Sequence, residues 1–270
     1  MKLRKMWAIT FWVLLVDFIA LNLVGMTSMN VNIYTTAHKV IGQMDPGILR
    51  AVFAIALLIY AKREWKIDVM HQKGGYIHMF KDGWLMIVLT IMNITVASDT
   101  IVWKSLLYHM NAFNIALAFV VGLIEALFVG MFEEISIRGV MMGAMLKGFK
   151  KYPVMKSIFF SSIVFGSLHM LNYFVAPFWD TTNQVIYAAG LGFVLATVYY
   201  ISKNIWVSIV LHAAMDYSSF VFSMNSIYVN TGSSNSIDLL SVAIFVVGLL
   251  SSYLSLVVYN RKQGNKDLLF

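Results

Sequence analysis

Eight apolar runs of membrane-crossing length, near 6–27, 46–61, 84–103, 112–131, 153–173, 183–201, 204–224 and 238–259, leave this chain few ways to fold. An α-helix of about 20 apolar residues crosses the ~30 Å hydrocarbon core of a bilayer. Composition agrees: the chain is 60% hydrophobic and 12% charged, where soluble domains carry about 25% charged residues. The expected fold is therefore an all-α polytopic membrane protein of about eight transmembrane helices. It is read as a single integral membrane domain over 1–270, with no internal repeat and no soluble domain.

The basic residues set the orientation. The net charge is +7, and an N-terminus placed in the cytoplasm puts 17 of the 20 Lys and Arg on inside segments. Only Lys39, Arg50 and Lys104 fall outside. The positive-inside rule then predicts an even number of spans with both termini cytoplasmic. The positive charge belongs to this membrane pattern, and no nucleic-acid partner is expected. The start, "MKLRKMWAITFWVLLVDFIALNLVG", reads as an uncleaved first span, because its apolar run exceeds the 7–15 residues of a signal-peptide core. The loop "KREWKIDVMHQKGGYIHMFKDG" is half apolar, which suits either an amphipathic piece on the membrane surface or an ordinary connection. Cysteine is absent, so disulfides and thiolate metal sites are excluded.

Against this apolar background stands "GLIEALFVGMFEEISIRGVMMGAML", residues 122–146. A charge at the centre of a membrane helix costs roughly 2.5–3.5 kcal/mol on insertion scales, so such residues face a bundle interior and mark working sites. Glu134 and Arg138 are i and i+4, with the acid N-terminal, the favourable order for an intrahelical pair. Glu133 points elsewhere on an α-helix, about 140° from Arg138 at ~100° per residue. One glutamate is thus neutralised locally while its neighbour faces something else. Glu125 is assigned a helix-packing hydrogen bond, and Asp17 a place against polar neighbours such as Asn22.

Two later segments add imidazoles. His169 lies in "SIVFGSLHMLNYF", one turn after Phe165, and His212 and Asp216 share one helix face in "SIVLHAAMDYSSF". Counted from the nearest lysines at ~1.5 Å per residue, Glu133, His169 and His212 lie about 21, 20 and 13 Å deep, so the three can meet inside the membrane, open to the cytoplasmic side. Two chemistries suit such a group. Glu133 can act as general base on water, with His169 sharing the proton and His212 and Asp216 hydrogen-bonding the oxyanion at a scissile carbonyl. Alternatively, Glu133, His169 and His212 with an open fourth position form the ligand set of catalytic zinc. His38, His71, His78 and His109 lie in loops or at span ends.

At these residues the chain resembles the CPBP intramembrane protease family, the CAAX prenyl endopeptidases and bacteriocin-processing or immunity proteins also called Abi. Three ordered blocks carry the resemblance: "EEISIR" as E-E-x-x-x-R, "FGSLH" as F-x-x-x-H, and "HAAMD" where the family has H-x-x-x-N or a variant. The protease-like core motifs sit within 112–224. The resemblance implies an eight-helix membrane endopeptidase of bacterial plasma-membrane type, acting on membrane-associated peptides or proteins. Glu133 matches the essential glutamate, Glu134 its neighbour, Arg138 the orienting arginine, and His169 and His212 the essential histidines. Asp216 falls where many members have Asn; an Asp donates a hydrogen bond only when protonated, so it serves instead to orient His212 or to complete a metal site. The family has been described both as glutamate-type and as metal-dependent, which leaves zinc open. Partners implied are a membrane-bound substrate, the lipid bilayer and a membrane-protein partner. The competing reading is a non-catalytic scaffold, regulator or bacteriocin-immunity factor of the same fold. A proton-coupled transporter is disfavoured, because paired halves with interrupted helices are not evident.

Overall fold

A computed structural model describes residues 1–29, 44–100, 111–223 and 233–263. His38, Lys39, Lys104 and His109 lie outside them. The described residues form helices joined by short turns and loops, and the one extended pairing among them is an isolated bridge between His71 and Asn204. This follows from the apolar setting, where every backbone N–H and C=O must be bonded within its own segment.

The helices are α1 (Leu3–Met29), α2 (Met44–Tyr60), α3 (Ile77–Lys81), α4 (Trp84–Thr100), α5 (Ala112–Glu133), α6 (Gly143–Gly148), α7 (Pro153–Leu168), α8 (Phe178–Ser202), α9 (Ile205–Ser223) and α10 (Leu239–Lys262). Each of the eight apolar runs is mainly helical over its described residues. Among the described residues five stretches are long and apolar enough to cross a membrane: Leu3–Leu23, Ala112–Gly148, Pro153–Phe174, Phe178–Ser202 and Leu239–Lys262. Trp84–Val96 is a shorter apolar helix. Local chemistry marks several starts. Asn111 and Asp238 accept from the backbone N–H of Asn114 and Ser241, at 2.8 and 2.6 Å, and Pro153 opens α7 where its missing N–H is harmless.

Helix α8 is the centre of the bundle: 78% of its apolar window is buried, against 28–39% for the other four long spans. It packs chiefly on α10 and α7, while α9 packs on α5 and α4, and α2 on α5. Small residues permit the closest crossing. A Cβ at Gly190 would stand 2.8 Å from Ile244 O, so α8 and α10 touch backbone to backbone.

Two departures from regular helix matter for the site. Between α5 and α6 the backbone continues as a π-helix over Glu134–Met142, so one unbroken rod of 37 residues runs from Ala112 to Gly148. After α7 the chain tightens into a 3₁₀ segment, His169–Phe174. The half-apolar loop after α2 is also more than a connection. It folds as a strap under the α8–α9 turn: Gln72 N donates to Lys203 O at 2.9 Å, Ile205 N to Met70 O at 2.8 Å, and Asn204 Nδ2 to Gly74 O at 2.9 Å. Gly75 is required there, since its φ of +77° is left-handed and a Cβ would meet Ser202 O at 2.6 Å. Ile67 and Val69 of the strap are buried, against Gly143 and Gly139 of the π-helical rod. The apolar residues Ile67 and Val69 of this loop thus serve the bundle, while Tyr76, Ile77 and Phe80 stay exposed.

Candidate active site

The acids of the π segment are treated very differently by their surroundings. Glu134 is sealed, with 0% of its side chain exposed, and Arg138 beside it is equally buried. Their ion pair measures 3.0 Å, as the i, i+4 spacing predicts. Arg138 is held on two further sides: its guanidinium lies 4.1 Å from the centroid of the Phe165 ring, and Nη2 reaches Gly192 O at 3.5 Å. A guanidinium over an aromatic face in a dry site gains a cation–π attraction of about 2 kcal/mol.

Glu133 remains open. One fifth of its side chain is exposed, and its Oε2 stands 3.7 Å from His212 Nε2. The π-helical turn brings this about, because its wider i→i+5 winding carries adjacent residues through a smaller angle than an α-helix does. Glu133 is therefore not turned wholly away from its neighbour's partners, and both glutamates reach the same imidazole.

That imidazole, His212, sits among three carboxylates. Nδ1 donates to Glu134 Oε1 at 3.0 Å, while Nε2 faces Asp216 Oδ2 at 3.4 Å and Glu133 Oε2 at 3.7 Å. A buried carboxylate on one ring nitrogen fixes the ring's orientation and presents the other nitrogen to the site. Asp216 has 35% of its side chain exposed and Glu133 20%, whereas His212 has 7%. The open side of the cluster is thus the Nε2 side. Asp216 lies on that side, in the position to orient His212.

His169 is placed apart. Its Nδ1 donates to Phe165 O at 3.0 Å, and no carboxylate forms an ion pair with it among the described residues. What links it to the cluster is Phe165, whose ring stands edge-on to His169 at 5.3 Å and to His212 at 5.4 Å between centroids. Phe165, 3% exposed, is thereby the hub of the site, touching both histidines and Arg138. Sequence spacing marks it only as the residue one turn before His169.

The zinc expectation can be tested on this arrangement. Among the described residues no group of three His, Cys, Asp or Glu side chains is placed to hold a metal ion. Glu133 and His212 approach each other, but His169 does not join them, so the expected three-ligand set does not fit.

Two further acids lie outside this cluster, and Glu125 makes the helix-packing hydrogen bond expected of it. Glu125 pairs with Arg50 of α2, a residue the charge count places in an outside segment and the structure places within a helix. Asn22 does not serve Asp17: its Nδ2 donates back to Phe18 O at 2.7 Å. Asp17 lies buried, near Ser136 of the π segment and Glu133 at the end of α5. His71 and His78 are engaged locally, with Val69 O and Asp82 Oδ2, each at 2.6 Å.

Residues 113–218 match the family model of the type II CAAX prenyl endopeptidases, described as Rce1-like. Over this stretch, less than half of its length, the chain is similar to that family. It begins in α5 and ends in α9, so it contains Glu133, Glu134, Arg138, His169, His212 and Asp216, and it leaves α1 to α4 and α10 outside. The match agrees with the three sequence blocks and supports an intramembrane protease function. No curated protein and no solved structure matches the chain.

Proposed function

We propose that this protein is an intramembrane endopeptidase that hydrolyses peptide bonds of membrane-associated peptides or proteins, with Glu133 as the base. The observation that carries the reading is the contrast between adjacent acids: Glu134 is sealed and paired with Arg138 and His212, while Glu133 is exposed and faces His212 Nε2. A sealed acid can only position; an open one can meet water and substrate.

The chemistry follows from that division. Glu133 accepts a proton from a water molecule as the water oxygen attacks the scissile carbonyl carbon; the C–O bond forms and the carbonyl electron pair moves onto oxygen. His212, held by Glu134 through Nδ1, turns Nε2 toward that oxyanion, and a proton on Nε2 donates to it, the kind of contact worth 10²–10³ in rate. Glu133 then returns its proton to the amide nitrogen, the C–N bond breaks, and a carboxyl and an amine are released. Arg138 and Phe165 are positioning residues for Glu134 and His212. His169 stands on the far edge of Phe165, where it contacts the substrate backbone rather than the attacking water. No step is routed through a metal, because the expected ligands are not gathered. The substrate reaches the site from the side where the basic helix ends collect, which the positive-inside rule assigns to the cytoplasm.

The test replaces Glu133 with Gln in cells and compares the membrane peptidome with wild type, using protein levels to show that the variant is made. The expected result is loss of specific cleavage products with accumulation of their precursors. Full retention of every product would refute proteolysis by Glu133 and favour the scaffold or immunity reading.

A further inference from the structure

A second place in the molecule combines charge with apolar surface, and none of the six site residues touches it. The outer face of α10, the end of α8, the start of α4 and the short helix α3 enclose a groove of about 490 Å³. Its floor is the α10 ladder Val247, Leu250, Leu254 and Val258, spaced three and four residues apart and hence on one helix face. These side chains are 37–60% exposed. The ladder spans eleven residues, about 16 Å at ~1.5 Å per residue, close to one leaflet of a ~30 Å hydrocarbon core.

The mouth is basic. Lys81 and Lys262 line it from α3 and from the last turn of α10. The other charged lining residues, His78 and Asp82, close on each other at 2.6 Å. Neither lysine forms an ion pair among the described residues, so both charges stand uncancelled at the end of an apolar trough. Lys203 nearby is used differently: its ammonium stands over the Tyr200 ring at 3.6 Å, and burial lowers its pKa. Trp84 also lines the groove and is fixed by Nε1 donating to Ser251 Oγ at 3.1 Å.

We propose that this groove binds an anionic phospholipid, its phosphate held between Lys81 and Lys262 and one acyl chain laid along Val247 to Val258. Charge complementarity selects the headgroup, and the leaflet-deep apolar floor selects a lipid over a free anion, which would leave that floor uncovered. Each lysine near a membrane surface strengthens binding of an anionic lipid about five-fold, so the pair yields roughly a 30-fold preference over a zwitterionic lipid.

Trp84 supplies the readout. The full-length protein is reconstituted in phosphatidylcholine nanodiscs and titrated with phosphatidylglycerol or phosphatidylcholine carrying brominated acyl chains; the quenching component absent from Trp84→Phe reports the groove. The expected result is half-maximal quenching at a roughly 30-fold lower mole fraction of the anionic lipid. Lys81→Gln with Lys262→Gln removes that preference, and Lys81→Arg with Lys262→Arg keeps it. Inorganic phosphate at millimolar concentration leaves the quenching unchanged. Equal quenching by the two lipids overturns the proposal, as does a preference that survives the double Gln variant. Relief of quenching by phosphate alone would make the groove a site for a free anion and overturn it as well.

Discussion

Replacing Arg138 with Met tests the positioning role assigned to the sealed pair. Met keeps most of the volume, so no large cavity forms and the effect is electrostatic. Removing one member of a buried ion pair costs about 3–5 kcal/mol, because the partner is left as an uncompensated charge. Here His212 still donates to Glu134 at 3.0 Å, which places that part near the lower figure. Arg138 also loses its contact with Phe165, an attraction of about 2 kcal/mol in a dry site, part of which the Met thioether recovers. The expected loss is therefore about 4 kcal/mol, nearly a thousandfold in the folding equilibrium. Adding Glu134→Gln to Arg138→Met removes the stranded charge and should restore about 2–3 kcal/mol, since replacing both members of a buried pair is often near neutral. Unfolding by sodium dodecyl sulfate in mixed micelles, followed by far-ultraviolet circular dichroism, measures all three variants and closes the double-mutant cycle. The reasoning fails if Arg138→Met alone costs less than about 1 kcal/mol, or if the double variant is no more stable than the single. The double variant is nonetheless expected to be inactive, because His212 loses the carboxylate that orients it.

Phe165→Leu is expected to cost about 1–3 kcal/mol and to lower cleavage by at least tenfold, since it releases both histidines and Arg138 at once; unchanged turnover in a reconstituted assay would remove Phe165 from the site. Metal analysis of the purified protein should find no stoichiometric zinc; zinc at one per chain that is lost in both His169→Ala and His212→Ala would refute the metal-free steps. Gly139→Ala should destabilise by about 1–3 kcal/mol through overpacking, because its Cβ would meet Val69 Cγ2 at 2.9 Å. Val69→Ala in the same chain should relieve most of that cost in thermal melts, and an equal loss in the two would mean the strap does not bear on the rod.

Much of the frame is legible before any coordinates. The length and apolarity of the eight runs suffice to predict helices, because a bilayer leaves the backbone little alternative. The Glu134 to Arg138 pair and the shared face of His212 and Asp216 follow from i, i+4 spacing, which operates inside a single helix. What is not legible is whatever depends on winding or on distant partners. Nothing in "EISIRGVMM" distinguishes a π-helix from an α-helix, so the sequence argument turns Glu133 away from the direction it takes. Arg50 meets Glu125 across 75 residues, and a charge count that works segment by segment assigns it a side of the membrane but no partner. His169 has the right depth to join Glu133 and His212, but depth does not settle azimuth, and the 3₁₀ turn beginning at His169 changes the azimuth again. Phe165 is marked in the sequence as the first residue of "FGSLH", but its contacts with His169, His212 and Arg138 are seen only in the structure.

The π-helical stretch has a consequence for how this rod tolerates change. A π segment accommodates a chain slightly too long for the α-helical path between two anchored ends, here α5 against α9 and α6 against α7. Removing a single residue within Glu134–Met142 would let the rod relax to an α-helix without disturbing either end. Glu133, the last residue of α5, would then keep its place while Glu134 and Arg138 shifted about the rod axis relative to it. Composition and span length would hardly change, yet Glu134 and Arg138 would lose their register with His212 and Phe165. One residue of surplus backbone therefore sets which side chains the buried pair meets, and length variants in this segment probe that register more sharply than any side-chain exchange.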